Sequence, residues 1–114
     1  MRIIRYPRIR VIVNERKSND VVTFKVYGII DWNETLSYII YQADITLQCY
    51  NDCCSIFIPP LRDENYNIEI KPEVEELNYT ANFAEARSLA PIDIEKIVSS
   101  MLLKALRSIS FRIS

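Results

Sequence analysis

The stretch Ile45–Ile58, ITLQCYNDCCSIFI, constrains the fold more than any other part of the chain. Apolar and polar residues alternate on both sides of Asn51–Asp52, a dipeptide suited to a two-residue hairpin turn. Folding there places Tyr50 opposite Cys53, Cys49 opposite Cys54, Leu47 opposite Ile56 and Ile45 opposite Ile58. Thr46, Gln48, Tyr50, Cys53, Ser55 and Phe57 take the other face. A one-residue slip would turn the whole apolar set outward, so pattern and register specify each other. Pro59–Pro60 ends the unit.

Two more alternating runs precede it. Ile9, Val11 and Val13 share one face, with Arg8, Arg10 and Ile12 on the other. Val22, Phe24 and Val26 then alternate with Thr23, Lys25 and Tyr27. The polar stretch between them, residues 14–20, reads as a hairpin loop. Matching the apolar faces predicts Val13 opposite Val22, Val11 opposite Phe24, Arg10 opposite Lys25 and Arg8 opposite Tyr27. A third hairpin is expected from residues 66–74 (Ile68, Ile70, Val74) and 77–85 (Leu77, Tyr79, Ala81, Phe83). Pro72 marks an edge or bulge in it, and Glu75–Glu76 makes a poor tight turn.

Two helices are expected. In DWNETLSYIIYQA, Asp31 and Glu34 have capping-box spacing, and Leu36, Ile39, Ile40 and Ala43 fall on one helical stripe. A short helix over 32–43 follows, with strand as the alternative for 33–43. The second helix spans 91–107, with Pro91 at its first position, Asp93 and Glu95 early, and Lys104 and Arg107 late. Ile94, Ile97, Val98, Met101 and Ala105 form its core stripe, which Leu102, Leu103 and Leu106 widen. The extra width fits either a curved sheet or a homodimer contact. The alternating tail Ile109, Phe111, Ile113 suits an edge strand. The expected architecture is one α+β domain over 1–114. It is an antiparallel sheet of three hairpins, about six strands, with one short helix and a C-terminal helix packed on one face.

The length and the 49% apolar content suit a single core. The 18 Ile against 6 Ala also favour strands. No apolar run reaches the ~20 residues of a membrane span. In the start MRIIRYPRIRVIV, Arg5, Arg8 and Arg10 interrupt any signal-peptide core, so a cytoplasmic setting is expected. The chain has no His, which excludes His-based triads and His-ligated metals. Its only glycine, Gly28, is too few for phosphate-cradling or dinucleotide loops. Chemistry would have to come from carboxylates, Lys, Tyr, Arg or Cys. Neither an enzyme nor a cofactor is expected.

Three groups of residues merit attention. CYNDCC has no fourth ligand nearby, so a structural zinc site is not expected. The hairpin register brings the Cα atoms of Cys49 and Cys54 to about 4.5 Å, the short end of disulfide geometry. They read either as two small hydrophobes in a reducing cytoplasm or as a disulfide in a hyperthermophile. Asp63 with Glu69-Ile70-Lys71 is similar to the D…E-x-K magnesium site of many nucleases, but Glu and Lys also alternate on solvated strands. Last, residues 1–17 carry Arg2, Arg5, Arg8, Arg10, Arg16 and Lys17 against Glu15 alone. Arg8, Arg10, Lys25 and Tyr27 are expected on one side of the first hairpin. Arg10 facing Lys25 would call for an anionic neighbour. That neighbour is nucleic acid with Tyr27 or Tyr6 stacking, an acidic protein surface, or the Glu69/Glu73 face of this chain or of a second copy.

The chain as a whole, and MRIIRYPRIRVIVNERKSND and LQCYNDCCSIFIPP in particular, resembles small proteins of the rod-shaped viruses (rudiviruses) that infect hyperthermophilic archaea. Its Ile/Tyr-rich, Gly-poor, His-free texture accompanies that resemblance. The resemblance implies a hot host cytoplasm and one role, inhibition of host CRISPR defence, including type III effector complexes. It carries over no catalytic residues. The expected function is stoichiometric binding, as an inhibitor or adaptor engaging a host protein or ribonucleoprotein complex. Nucleic-acid binding through the basic face comes second, and a metal-dependent nuclease third.

Overall fold

A computed structural model describes residues 3–113, with side chains through Ile109. The first two strands, β1 (Arg8–Ser18) and β2 (Val21–Asp31), pair without interruption from Arg8↔Asp31 to Ser18↔Val21. Asn19, at φ 57°, turns the chain with Asp20. The expected register is therefore corrected by four residues. Val13 faces Val26, Val11 faces Gly28, Arg10 faces Ile29 and Arg8 faces Asp31. Residues 14–18 are strand, because eleven pairs satisfy backbone groups that a loop would leave to water, and an edge strand tolerates polar side chains. The displacement is even, so every side chain keeps its expected face.

The short helix expected over 32–43 is replaced by β3 (Ser37–Tyr50), which lies beside β2. The Asn33 side chain accepts the Thr35 and Leu36 amides at 2.9 Å each, an Asx turn that reverses the chain before β3. A bulge sets Gly28 opposite Tyr41 but Ile29 opposite Ile39, which turns Ile40 and Tyr41 both inward. The next hairpin carries β3 into β4 (Cys53–Phe57), with Gln48↔Ser55, Cys49↔Cys54 and Tyr50↔Cys53 paired.

The third expected hairpin is divided. The strands β5 (Leu61–Asp63) and β6 (Ile68–Ile70) form a separate two-stranded ribbon, while β7 (Glu76–Tyr79) pairs with β4 through Ile56↔Leu77. Pro72 and the poor turn at Glu75–Glu76 part the two strands, and each finds a better edge. The main sheet has the antiparallel order β1-β2-β3-β4-β7.

The last element, α1 (Phe83–Ile113), is 31 residues long, about 46 Å at 1.5 Å per residue. It starts earlier than expected because Asn82 caps it, its side chain accepting the Glu85 amide at 2.9 Å. Pro91 thus lies inside the helix rather than at its start. Ile109 is helical and buried, so the tail adds no edge strand; the side chains of Phe111 and Ile113, like Arg2, lie outside the described residues. Ala86, Ala90, Ile94, Val98, Met101, Leu102, Ala105 and Ile109 are buried against Val22, Phe24, Val26, Ile30 and Ile45. Gly28 sits where helix and sheet come closest. A Cβ there would lie 2.7 Å from Leu102 Cδ1 and 2.9 Å from Tyr41 Cβ. Leu102 and Leu106 therefore serve the sheet, while Leu103 points to solvent. No helix among the described residues is long and apolar enough to cross a membrane.

Candidate docking face

The helix covers one face of the main sheet and leaves the other open. Cross-strand partners share a face, so the register places Arg8, Arg10, Ile12 and Arg16 of β1 beside Asp31, Ile29, Tyr27 and Thr23 of β2 on the open side. Ile39, Asp44, Thr46 and Gln48 of β3 follow, then Ser55 and Phe57 of β4 and Glu76 of β7.

All four residues expected to form the basic site, Arg8, Arg10, Lys25 and Tyr27, are on this face. They do not form one cluster. Arg10 grips Asp31 with two parallel hydrogen bonds, Nε to Oδ2 at 2.6 Å and Nη2 to Oδ1 at 3.0 Å. Arg8 Nε approaches the same carboxylate at 3.2 Å, and the Ser37 hydroxyl donates to it at 2.5 Å. Asp31 is only 3% exposed, and the Arg10 hydrogen bonds, followed by the one from Ser37, hold its carboxyl down at about 2. Lys25 lies four residues from Ile29 along β2, about 13 Å away, and approaches Asp44 at 3.6 Å. Within the chain the anionic neighbour of the arginines is thus Asp31, not the Glu69/Glu73 face. Glu69 lies 3.6 Å from Arg62, and Glu73 accepts the Ser100 hydroxyl at 3.1 Å.

Between these ion pairs the face is mostly apolar: Ile12 and Tyr27 are half-buried and Ile39 is 54% exposed, with Gln42 beside Tyr27. Farther across the sheet Phe57 is 58% exposed and Tyr50 81%. Sequence reasoning missed two members of this surface for one reason. Reading 32–43 as a helix made Asp31 a cap and put Ile39 on a buried stripe. The β-prone run Tyr38–Tyr41 was the signal that could have found Ile39, whereas Asp31 also needed the register of β1 on β2.

A cleft cuts into the open face. Beyond Gln48↔Ser55 the central strands part, since Thr46 stays with Thr23 on β2 and Phe57 with Glu76 on β7. A cavity of about 370 Å³ opens between Asp44, Thr46 and Gln48 on one wall and Ser55, Phe57 and Glu76 on the other. A shallower depression of about 480 Å³ lies at the hairpin end, beside Tyr50, Cys53 and Thr80. Cys49 and Cys54 are bonded as a disulfide with their Cα atoms 4.0 Å apart, and Cys53 is an exposed thiol.

The carboxylates of the nuclease-like pattern are not brought together. Asp63 pairs across the ribbon with Ile68 and Arg62 with Glu69, so Asp63 and Glu69 project to opposite sides. Asp63 accepts the Tyr38 hydroxyl at 2.6 Å and the Tyr66 amide at 3.1 Å, and the former bond raises the Tyr38 pKa. Among the described residues no group of three or more His, Cys, Asp or Glu side chains is placed to hold a metal. No protein-family model, curated protein or solved structure matches the chain.

Proposed function

We propose that the protein is a non-catalytic inhibitor or adaptor that holds a host protein or ribonucleoprotein complex against the open face of its sheet. The composition of that face carries this reading. Exposed Ile39, with Tyr27 and Ile12, sits beside two arginines that share the Asp31 carboxylate, and exposed Phe57 adds an aromatic ring farther across the sheet. Protein interfaces combine aromatic and aliphatic anchors with arginine in this way. A phosphate-binding surface instead needs cations left over for the backbone. Here Arg8 and Arg10 are held by one carboxylate and Lys25 by Asp44, which leaves one positive charge there besides Arg16, few for a surface that tracks a nucleic-acid backbone. The resemblance to small proteins of rod-shaped archaeal viruses supplies the setting, a host cytoplasm with a type III CRISPR effector complex among the candidate partners.

The test is affinity capture from nuclease-treated lysate of a hyperthermophilic archaeal host, with mass spectrometry of what is retained. A defined multiprotein complex that survives nuclease is the expected result. Recovery of RNA or DNA alone, lost after nuclease, would overturn the reading in favour of direct nucleic-acid binding through Arg8, Arg10 and Lys25. Magnesium-dependent cleavage that disappears in Glu69→Ala would overturn both in favour of a nuclease.

A further inference from the structure

The cleft between β3 and β4 differs in chemistry from the rest of the open face. Its walls end in two carboxylates, Asp44 and Glu76, and no Lys or Arg lines it. Thr46, Gln48 and Ser55 add neutral hydrogen-bonding groups, and the Phe57 ring stands exposed at its rim. At about 370 Å³ it falls at the lower end of the ~300–1,000 Å³ typical of ligand pockets, ample room for one long side chain. Lys25 reaches only Asp44 Oδ1, at 3.6 Å, and that carboxylate is 65% exposed. Exposed pairs of this kind are weak and readily exchanged.

We infer that this cleft is the specificity pocket of the docking face and takes an arginine side chain of the partner protein. The inference rests on the docking reading above and adds the chemistry of the anchor. Carboxylates on both walls favour a cation, and the exposed Phe57 ring at the rim suits the flat, weakly hydrated guanidinium. A lysine ammonium would meet the same charges without the planar fit. The pocket also repels phosphate, so it marks the partner as protein at this point of contact.

The probe is acetylated tetra-arginine amide titrated into isotope-labelled protein and followed by backbone NMR. The expected result is saturable shifts centred on Thr46, Gln48, Ser55 and Phe57. Asp44→Asn with Glu76→Gln should weaken the peptide by about tenfold or more, the loss of roughly 1.4 kcal/mol. Phe57→Leu should weaken it less, and tetra-lysine should bind more weakly than tetra-arginine. All three positions are exposed, so an unchanged wild-type spectrum elsewhere reports that each variant folds. Shifts spread over the other exposed acids Glu64, Glu69 and Glu73, or affinity untouched by the double variant, would overturn the inference. Capture of the host complex separates the two readings. A partner held equally by wild type and Glu76→Gln would leave the docking face standing and remove the arginine pocket.

Discussion

Gly28→Ala tests the packing of helix on sheet at its tightest point. In an ordinary strand this change stabilises by roughly 0.5–1 kcal/mol, because glycine loses the most backbone freedom on folding. Here the new methyl would lie 2.7 Å from Leu102 Cδ1 and 2.9 Å from Tyr41 Cβ. Leu102 is fully buried and Tyr41 nearly so, and a Cβ atom has no rotamer by which to escape. Overpacking of that kind costs about 1–3 kcal/mol. The net expectation is a loss of roughly 1–2 kcal/mol, or about 5–10 °C in Tm for a chain of this size. Leu102→Ala alone should cost about 3 kcal/mol through its cavity. Combined, the two should cost less than their sum by about 1 kcal/mol, because the vacated space admits the new methyl. Urea unfolding of the four proteins, with unchanged slopes, reads out the cycle. A Gly28→Ala variant more stable than wild type, or a strictly additive cycle, would refute the close approach.

The Asp31 carboxyl is lowered from an ordinary value of 3.8 to about 2, so its stabilising contribution is complete above pH 4 and is lost as pH falls through about 2. Urea unfolding between pH 5 and pH 2 should show this loss in wild type and a flatter acid limb in Asp31→Asn. Thiol titration of the native, oxidised protein should find one reactive cysteine, Cys53, and three after reduction. Reduction, or Cys49→Ser with Cys54→Ser, should lower stability by about 2 kcal/mol, the value for so short a loop. A larger count of native thiols would mean that the pair is not bonded.

The legible parts of the fold were those where one local signal sufficed. Asn51–Asp52 and the alternation around it set the second hairpin, because turn chemistry and side-chain period agree within a few residues. The first hairpin was legible in its faces but not its register. Both registers bury Val22, Phe24 and Val26, and only the gain of backbone pairing along residues 14–18 separates them. Residues 32–43 misled because a bulge opposite Gly28–Ile29 breaks the two-residue period and mimics a helical stripe. The partners of β6 and β7 depend on long-range choices among edges, which no local pattern carries. The site followed suit. Arg8, Arg10, Lys25 and Tyr27 were placed on the correct face, while the role of Asp31 depended on the register that local signals could not choose.

The docking face is tested most directly by glutamate substitutions on the two exposed sides of the molecule in the host-capture assay. Ile39→Glu and Phe57→Glu change the open sheet face, while Ile92→Glu and Leu103→Glu change the solvent side of α1 at similarly exposed positions. Either sheet-face variant, folded by circular dichroism and thermal melting, should retain at least about tenfold less of the complex, whereas both helix variants should retain it fully. Loss through the helix variants, with the sheet-face variants binding as wild type, would contradict the docking face.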